Sequence, residues 1–377
     1  MNSLKDELRF LFGGRGMPYE KVAIMIAAVI TILLTWFLSN NIMKDAGITV
    51  IDLDNSRYSR ELIQKIDTSV YMKVENVVYT PGSPEKFFFM ERSVAAICLP
   101  KGLEKDRYSN TSTSIGALYD NINAASTGEI KAALNEIIAM ENEQGGGHIS
   151  LNERLLFNPV GSSSSGEVLN FLFFFSSMFF AFATLGIVPR LRMENKLELI
   201  LAEGNPLDIL LRLVPYWGCL LTALSIGLTI LRFVGDLVIN GNLLLFLFSQ
   251  ILYVFVLGVC CVIMGWNAGH PSLASSRMIL FVPLGFILGA AVPMPLLADW
   301  VRVGAHIFPL TWEFNFVRDI LLRGASFWDI GKLFGLFLVY IGSVLGLYGL
   351  IFRHACKNID LQKLCVARRN AREMIQS

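Results

Sequence analysis

Six runs of mostly apolar residues constrain this chain more than anything else in it: Val22–Ser39, Val168–Val188, Ile209–Leu231, Leu243–Trp266, Met278–Ala298 and Leu333–Phe352. Each approaches the roughly 20 residues that a helix needs to cross a bilayer. Inside hydrocarbon every backbone N–H and C=O must find its partner within the segment, so such runs are read as helices. Only 17% of the residues are charged, against about 25% in a soluble domain. The expected fold is a mainly α-helical polytopic membrane protein with six spans, plus an extracytoplasmic α+β domain inserted between spans one and two. The first run is too long for a cleaved signal peptide and no small-residue cleavage site follows it, so it counts as a span.

Orientation follows the bias of Lys and Arg in short loops. Lys5, Arg9, Arg15 and Lys21 precede the first span; Arg190, Arg192, Lys196 and Arg212 cluster after the second; Arg277 lies between the fourth and fifth. The tail adds Arg353, Lys357, Lys363, Arg368, Arg369 and Arg372. The opposite side holds only Arg232, Arg302, Arg318, Arg323 and Lys332 in its short loops. Both termini are therefore expected in the cytoplasm. The chain divides into an interfacial helix (1–16), span 1 (17–40), the extracytoplasmic domain (41–166), span 2 (167–189) and a cytoplasmic helix (190–206). Spans 3, 4 and 5 follow (207–231, 243–266, 278–298), then a re-entrant hairpin (299–331), span 6 (332–352) and a basic tail (353–377). A net charge of +1 gives no sign of nucleic-acid binding.

Between the spans, local signals are readable. Leu4, Leu8, Leu11 and Phe12 share one helical face opposite charged residues, the pattern of a helix lying on a membrane. In the inserted domain "GITVIDLD", "YMKVENVVY", "SVAAICLP" and "IGALYD" read as four strands. "NSRYSRELIQKI" reads as a helix capped by Asn55 or Ser56, and "SPEKFFFMER" as one capped by Ser83 with Pro84 at its first position. A long helix runs through "AASTGEIKAALNEIIAMENEQ" to a triple glycine, and "GSSSSG" is a flexible return to the membrane. In the last outer loop Thr311 is placed as cap of an amphipathic helix with Phe314, Val317, Ile320 and Leu321 on one face. Pro309 separates it from a shorter helix. Pro283, Pro293 and Pro295 predict a kink leading into this hairpin.

Several chemistries are missing. There is no GxxxxGK[ST] loop for nucleotide phosphates, no HExxH and no GxSxG. His354, Cys356 and Cys365 lack metal-site spacing, and His270 and His306 at span edges have no nucleophile beside them. Asp and Glu are absent from the interiors of the six runs, which argues against a proton relay. Asn170 and Gln250 read first as helix-packing groups. Apolar walls without buried charge point to a lipid-like or amphipathic cargo, moved by energy supplied elsewhere.

The polar island "VPRLRMENKLELILAEGNP" sits between two of the runs. Met193, Leu197, Ile200 and Leu201 recur at helical spacing after Pro189, with Glu194 and Glu198 on a flank, and "GNP" ends the helix. It is either a connection lying on lipid or a knob for a soluble partner. The acidic pair leans toward a partner, because the inner membrane surface is itself negative.

Five stretches resemble, in order, the permease subunits of type-2 ATP-binding-cassette (ABC) exporters with a large external domain: "LKDELRFLF", "VIDLDNSRYSRELIQKI", "VAAICLPKGLEKD", "RMENKLELILAEGNPLDILLRLVPY" and "FPLTWEFNFVRDILLRGAS". The resemblance implies a connecting helix at Leu4, Leu8, Leu11 and Phe12. It implies a coupling helix in which Arg192, Glu194, Lys196, Leu197, Glu198 and Leu201 meet an ATPase, and an outer gate at Pro309, Thr311, Trp312, Arg318, Arg323 and Gly324. One departure stands out: the family's Gly-Thr after the acidic residue is Asn195-Lys196 here. The implied partners are separate ABC ATPase subunits, which would carry ATP and Mg, a second permease subunit (the same or a related chain), membrane lipids, and an adaptor that could continue the path outward. The chain itself is expected to bind no cofactor or metal, to catalyse no reaction, and to lie in a bacterial inner (plasma) membrane. The competing class is a membrane receptor or assembly factor that binds a ligand with its external domain; an intramembrane enzyme ranks third.

Overall fold

The computed structural model describes residues 45–358, apart from 123, 160, 162–165 and 292–298. The expected interfacial helix with Leu4, Leu8, Leu11 and Phe12, span 1, the serines of "GSSSSG", Pro293, Pro295 and the tail beyond Asn358 with Cys365 lie outside the described residues.

The first part is an α/β unit built on a five-stranded mixed sheet in the order β2-β1-β3-β4-β5. Its strands are β1 (Ala46–Asp52), β2 (Met72–Val78), β3 (Ala95–Leu99), β4 (Thr113–Asp120) and β5 (Ile149–Leu156). β1 is parallel to both neighbours, β3 and β4 are antiparallel, and β5 is parallel to β4. Every residue of β1 is buried. A strand covered on both faces needs such a continuous apolar run rather than an alternating one. Helix α1 (Arg57–Asp67) makes the crossover from β1 to β2. Ser56 caps it in a full capping box with Ser59, so the second of the two expected caps is the one used. The short α2 (Leu103–Tyr108) precedes β4, and α3 (Ala124–Glu143) joins β4 to β5.

Two local expectations fail here. "SPEKFFFMER" forms only two 3-10 turns, Pro84–Phe87 and Phe89–Glu91, and the Ser83 side chain caps neither. Phe88 and Phe89 are both buried, and Met90 and Glu91 take left-handed backbone angles (φ 57° and 54°) that stop a helix from continuing. The strand β5 was not anticipated, because exposed Ser150, Asn152 and Arg154 break its apolar run.

The second part is helical. Among the described residues five helical stretches are long and apolar enough to cross a membrane: Glu167–Met193, Leu207–Phe233, Leu243–Gly265, Pro271–Ala290 and Gly331–Lys357. The corresponding elements begin with α4 (Glu167–Leu185) and the short pair α5 (Ile187–Met193) and α6 (Leu197–Glu203). They continue with α7 (Leu207–Leu211), α8 (Val214–Phe233) and α9 (Leu243–Gly265). Then come α10 (Pro271–Ser276) and α11 (Met278–Phe286), followed by a π turn at Ile287–Ala291, one turn beyond Pro283. The hairpin contains α12 (Asp299–Ala305), α13 (Pro309–Phe316) and a second π segment, Val317–Leu322. The last described helix is α14 (Gly331–Lys357). α9 is the centre of this bundle, with Tyr253, Val256, Leu257, Val259, Cys261 and Val262 all buried.

Candidate functional site

Two places concentrate polar chemistry, and they lie at opposite ends of α9, whose 23 residues span about 34 Å. At its C-terminal end sits the island. The sequence suggested one continuous helix after Pro189, but the structure has two short ones. Pro189 lies in the first turn of α5, where its missing N–H costs nothing. The break comes at Asn195, which adopts φ 54°.

The break sorts the predicted residues into two sets. Leu197, Glu198, Ile200 and Leu201 turn inward and are buried. Glu194 and Lys196 stay exposed and pair at 2.7 Å. The Lys196 hydrogen bond outweighs slight desolvation and holds the Glu194 carboxyl below the usual range. Glu194 and Glu198 thus do not form one acidic face, and Met193, expected in the apolar row, is exposed. Glu198 is buried with Oε2 lacking a hydrogen-bond partner. Arg192 points to the bundle: Nη1 donates to Ala268 O at 2.9 Å and Nη2 to Trp266 O at 2.7 Å. Arg277 donates to Met264 O. The two guanidiniums satisfy carbonyls that a helix end leaves unpaired. α4 runs so close that a Cβ on Gly265 would lie 2.2 Å from Leu185 O, so no other residue fits there. Tyr348 of α14 donates to Pro206 O at 2.7 Å. The island is therefore bolted to α9 and α14, with Glu194 and Lys196 at its outer surface.

At the other end of α9 lies the hairpin, and here the sequence reading needs correction. It expected an amphipathic helix capped by Thr311. Instead Phe308 is the cap position, Pro309 opens the helix, and every residue from Pro309 to Phe316 is buried. Thr311 packs inside: a Cβ on Gly289 would meet its Cα at 2.9 Å. Trp312 donates to His306 O at 2.7 Å and stacks on Tyr340.

The expectation that the protein lacks buried charge also fails. Arg323 donates to Asp120 Oδ2 at 2.6 Å and to Asp319 Oδ1 at 2.6 Å. Arg318 forms an ion pair with Glu91, Nε lying 2.9 Å from Oε1; its Nε donates to Phe314 O at 3.2 Å and its Nη2 to Gly289 O in the π turn after α11. The backbone N–H of Met90 donates to Asp319 Oδ2 at 2.9 Å. All five side chains are buried. Glu91 and Asp120 belong to the sheet domain, so this network ties that domain to the hairpin. The widened π segment lets Arg318 and Arg323 share one region, because Arg323 N bonds Arg318 O at 2.8 Å, a five-residue step. Asn240, from the loop between α8 and α9, caps the segment through Leu322 O at 2.7 Å and Leu321 O at 3.0 Å. Gly241 must be glycine, since a Cβ there would lie 1.6 Å from Ile320 O. Gly324, at φ 72°, turns the chain back out. Further in, Glu313 is fully buried and accepts from Gln250 of α9, while its Oε2 has no hydrogen-bond partner.

Pro309, Thr311, Trp312, Arg318, Arg323 and Gly324 thus fall on one compact element. Glu91, Asp120, Asp319 and Glu313 were missed. Asp319 and Arg323 at i, i+4 were a readable signal; the partners in the sheet domain, some 200 residues earlier, carried none. Among the described residues no group of His, Cys, Asp and Glu could hold a metal ion. A family model described as ABC-2 family transporter protein matches residues 22–352. Neither a curated protein nor a solved structure matches.

Proposed function

The chain belongs to the ABC-2 transporter family, and from that premise we propose that it is the permease subunit of an ATP-driven exporter. Membership makes it a multi-pass membrane component of a transporter that works with ABC ATPase partners. The finer reading is ours. Two such subunits, identical or related, would face each other across a path through the membrane. Separate ATPases, carrying ATP and Mg, would dock on the island. The basic segments would face the cytoplasm and the sheet domain the outside, where it could receive an adaptor.

The observation that carries this reading is the common strut. Arg192 locks the island to the end of α9, and Gln250 near the other end of α9 holds Glu313 of the hairpin. A push on Glu194 and Lys196 is then delivered to the hairpin through one helix. ATP supplies energy by being bound more tightly in one arrangement of the assembly than in the other. Docking is assigned to Glu194 and Lys196, because Leu197, Glu198 and Leu201 are committed to the core.

Co-expression with an ABC ATPase, purification in nanodiscs and vanadate-sensitive ATP turnover test the assignment. Glu194→Arg is expected to leave folding intact while abolishing co-purification and the change in turnover. A variant that still binds and regulates the ATPase as the wild type does rules out the island as the docking site.

A further inference from the structure

Where α9 meets the hairpin, two buried oxygens lack partners, and they belong to side chains that already touch. Gln250 Nε2 donates to Glu313 Oε1. The other oxygen of each group, Gln250 Oε1 and Glu313 Oε2, is buried without a hydrogen-bond partner. Gln250 is 3% exposed and Glu313 0%, so neither can turn to solvent for one. Two acceptors left in this way are costly.

Among the described residues no cation pairs with Glu313. Arg318 and Arg323 of the same hairpin are committed to Glu91, Asp120 and Asp319. α9 has no charged residue; its titratable groups are Tyr253, whose hydroxyl lies 2.5 Å from Ser177 Oγ, and Cys260 and Cys261. The π turn after α11 and α11 itself have none, and α4 has only Glu167 at its exposed start. Tyr340 of α14 donates to Ile307 O at 2.7 Å. A carboxylate with neither water nor a counter-charge is neutralised by a proton. Protonation gives the carboxyl one O–H donor, the group that both orphaned oxygens need.

We propose that Glu313 is held as the neutral acid at physiological pH, with the proton on Oε2 donated to Gln250 Oε1. The two side chains then form a carboxylic acid–carboxamide pair with two antiparallel hydrogen bonds, and neither oxygen is left unpaired. This buried proton is the pin that ties α9 to the hairpin. Its loss turns Oε2 back into an acceptor, leaves two acceptors without a donor and loosens the joint. The proton site belongs to the isolated chain; its effect on coupling to an ATPase rests on the exporter reading.

The test is infrared spectroscopy of the full chain in nanodiscs, with glutamate isotope-labelled at the side-chain carboxyl. At about pH 7, far above the ordinary glutamate value of about 4.3, the wild type should show the C=O band of a hydrogen-bonded carboxylic acid. Glu313→Gln should lose that band while keeping both hydrogen bonds, since an amide Nε2 replaces the O–H donor. Gln250→Leu should move the band to higher frequency, the mark of an acid without its partner. Stability against denaturant gives a second readout that needs only Glu313→Gln to fold. The folded wild type keeps a proton that the unfolded chain releases above about 4.3, so its stability falls with rising pH until the pair itself ionises. Relative to Glu313→Gln, the unfolding constant should rise about tenfold per pH unit over that window. A wild-type spectrum that Glu313→Gln leaves unchanged, a band unmoved by Gln250→Leu, or equal pH dependence in wild type and Glu313→Gln would each overturn the proposal.

Discussion

The two polar regions at the ends of α9 handle charge in opposite ways. At the island, Glu194 and Lys196 pair in the open, where solvent and salt weaken the attraction and the pair contributes about 0–1 kcal/mol. At the hairpin, Arg318 and Arg323 meet Glu91, Asp120 and Asp319 with all five side chains buried. Desolvation there is severe, and the network holds only while every partner is present. Charges at the first place are free to be exchanged for those of another protein. Charges at the second fix two elements in register, the sheet domain and the hairpin.

This contrast can be broken from its strong side first. Arg323→Met leaves Asp120 and Asp319 buried without their partner and should cost about 3–5 kcal/mol, read as a large fall in Tm of the detergent-solubilised protein. The triple change Arg323→Met, Asp120→Leu and Asp319→Leu should recover most of that loss, because it removes Arg323 together with both of its carboxylates, and apolar replacement of a complete buried triad is often neutral. A triple variant no more stable than the single one means that the hairpin depends on its charges for more than mutual compensation. Gly241→Ala comes next. Its methyl group must displace the Ile320 carbonyl, with a cost of about 1–3 kcal/mol and faster hydrogen exchange across Val317–Leu322.

On the weak side, Glu194→Arg should change stability by less than about 0.5 kcal/mol and yet remove ATPase binding. A Tm that falls as far as in Arg323→Met would erase the distinction between the two regions.

The smallest effect is a pH dependence in the sheet domain. Burial pushes the Asp54 carboxyl up, but the Ser56 side chain and the N–H groups of Glu104, Gly102 and Leu103 together pull it further down, so it sits below its ordinary value. Its oxygens accept from Gly102 N at 2.7 Å and Glu104 N at 3.0 Å, at the start of α2. A depressed carboxyl stabilises fully above its unfolded value, about 3.9, and that support is lost as pH falls through the lower, folded value. Amide exchange in α2 should therefore rise on acidification below about pH 4 in the wild type. Asp54→Asn should show weaker protection already at neutral pH and a flatter profile.

What could be read from the sequence follows the same division. The helical stretches were legible because membrane burial needs long apolar runs, and Ser56 because a cap is a local hydrogen bond. β5 was not, since Ser150, Asn152 and Arg154 interrupt its apolar pattern. At the island the departure from the family's Gly-Thr was noticed, but not its consequence. Position 195 is left-handed, a conformation free for glycine and tolerated by asparagine. That one residue divides the helix and decides that Glu198 faces inward while Glu194 faces out. At the hairpin Phe314, Val317, Ile320 and Leu321 mark one apolar face, but Glu313, Arg318, Asp319 and Arg323 are buried as well. Their partners lie in Gln250, Glu91 and Asp120, far away in the chain, and no local pattern announces such pairs.

The central claim is that the island and the hairpin move as parts of one linkage. It is tested most directly by the distance between spin labels on Trp328→Cys, an 89% exposed position shortly after the π segment, in the assembled transporter with Cys98, Cys219, Cys356 and Cys365 replaced by Ser. Adding ATP and vanadate should shift the inter-subunit distance distribution in the otherwise wild-type complex and leave it unchanged with Glu194→Arg. A shift of equal size in both would contradict the linkage, as would a complex that turns over ATP and transports with no change at Trp328→Cys.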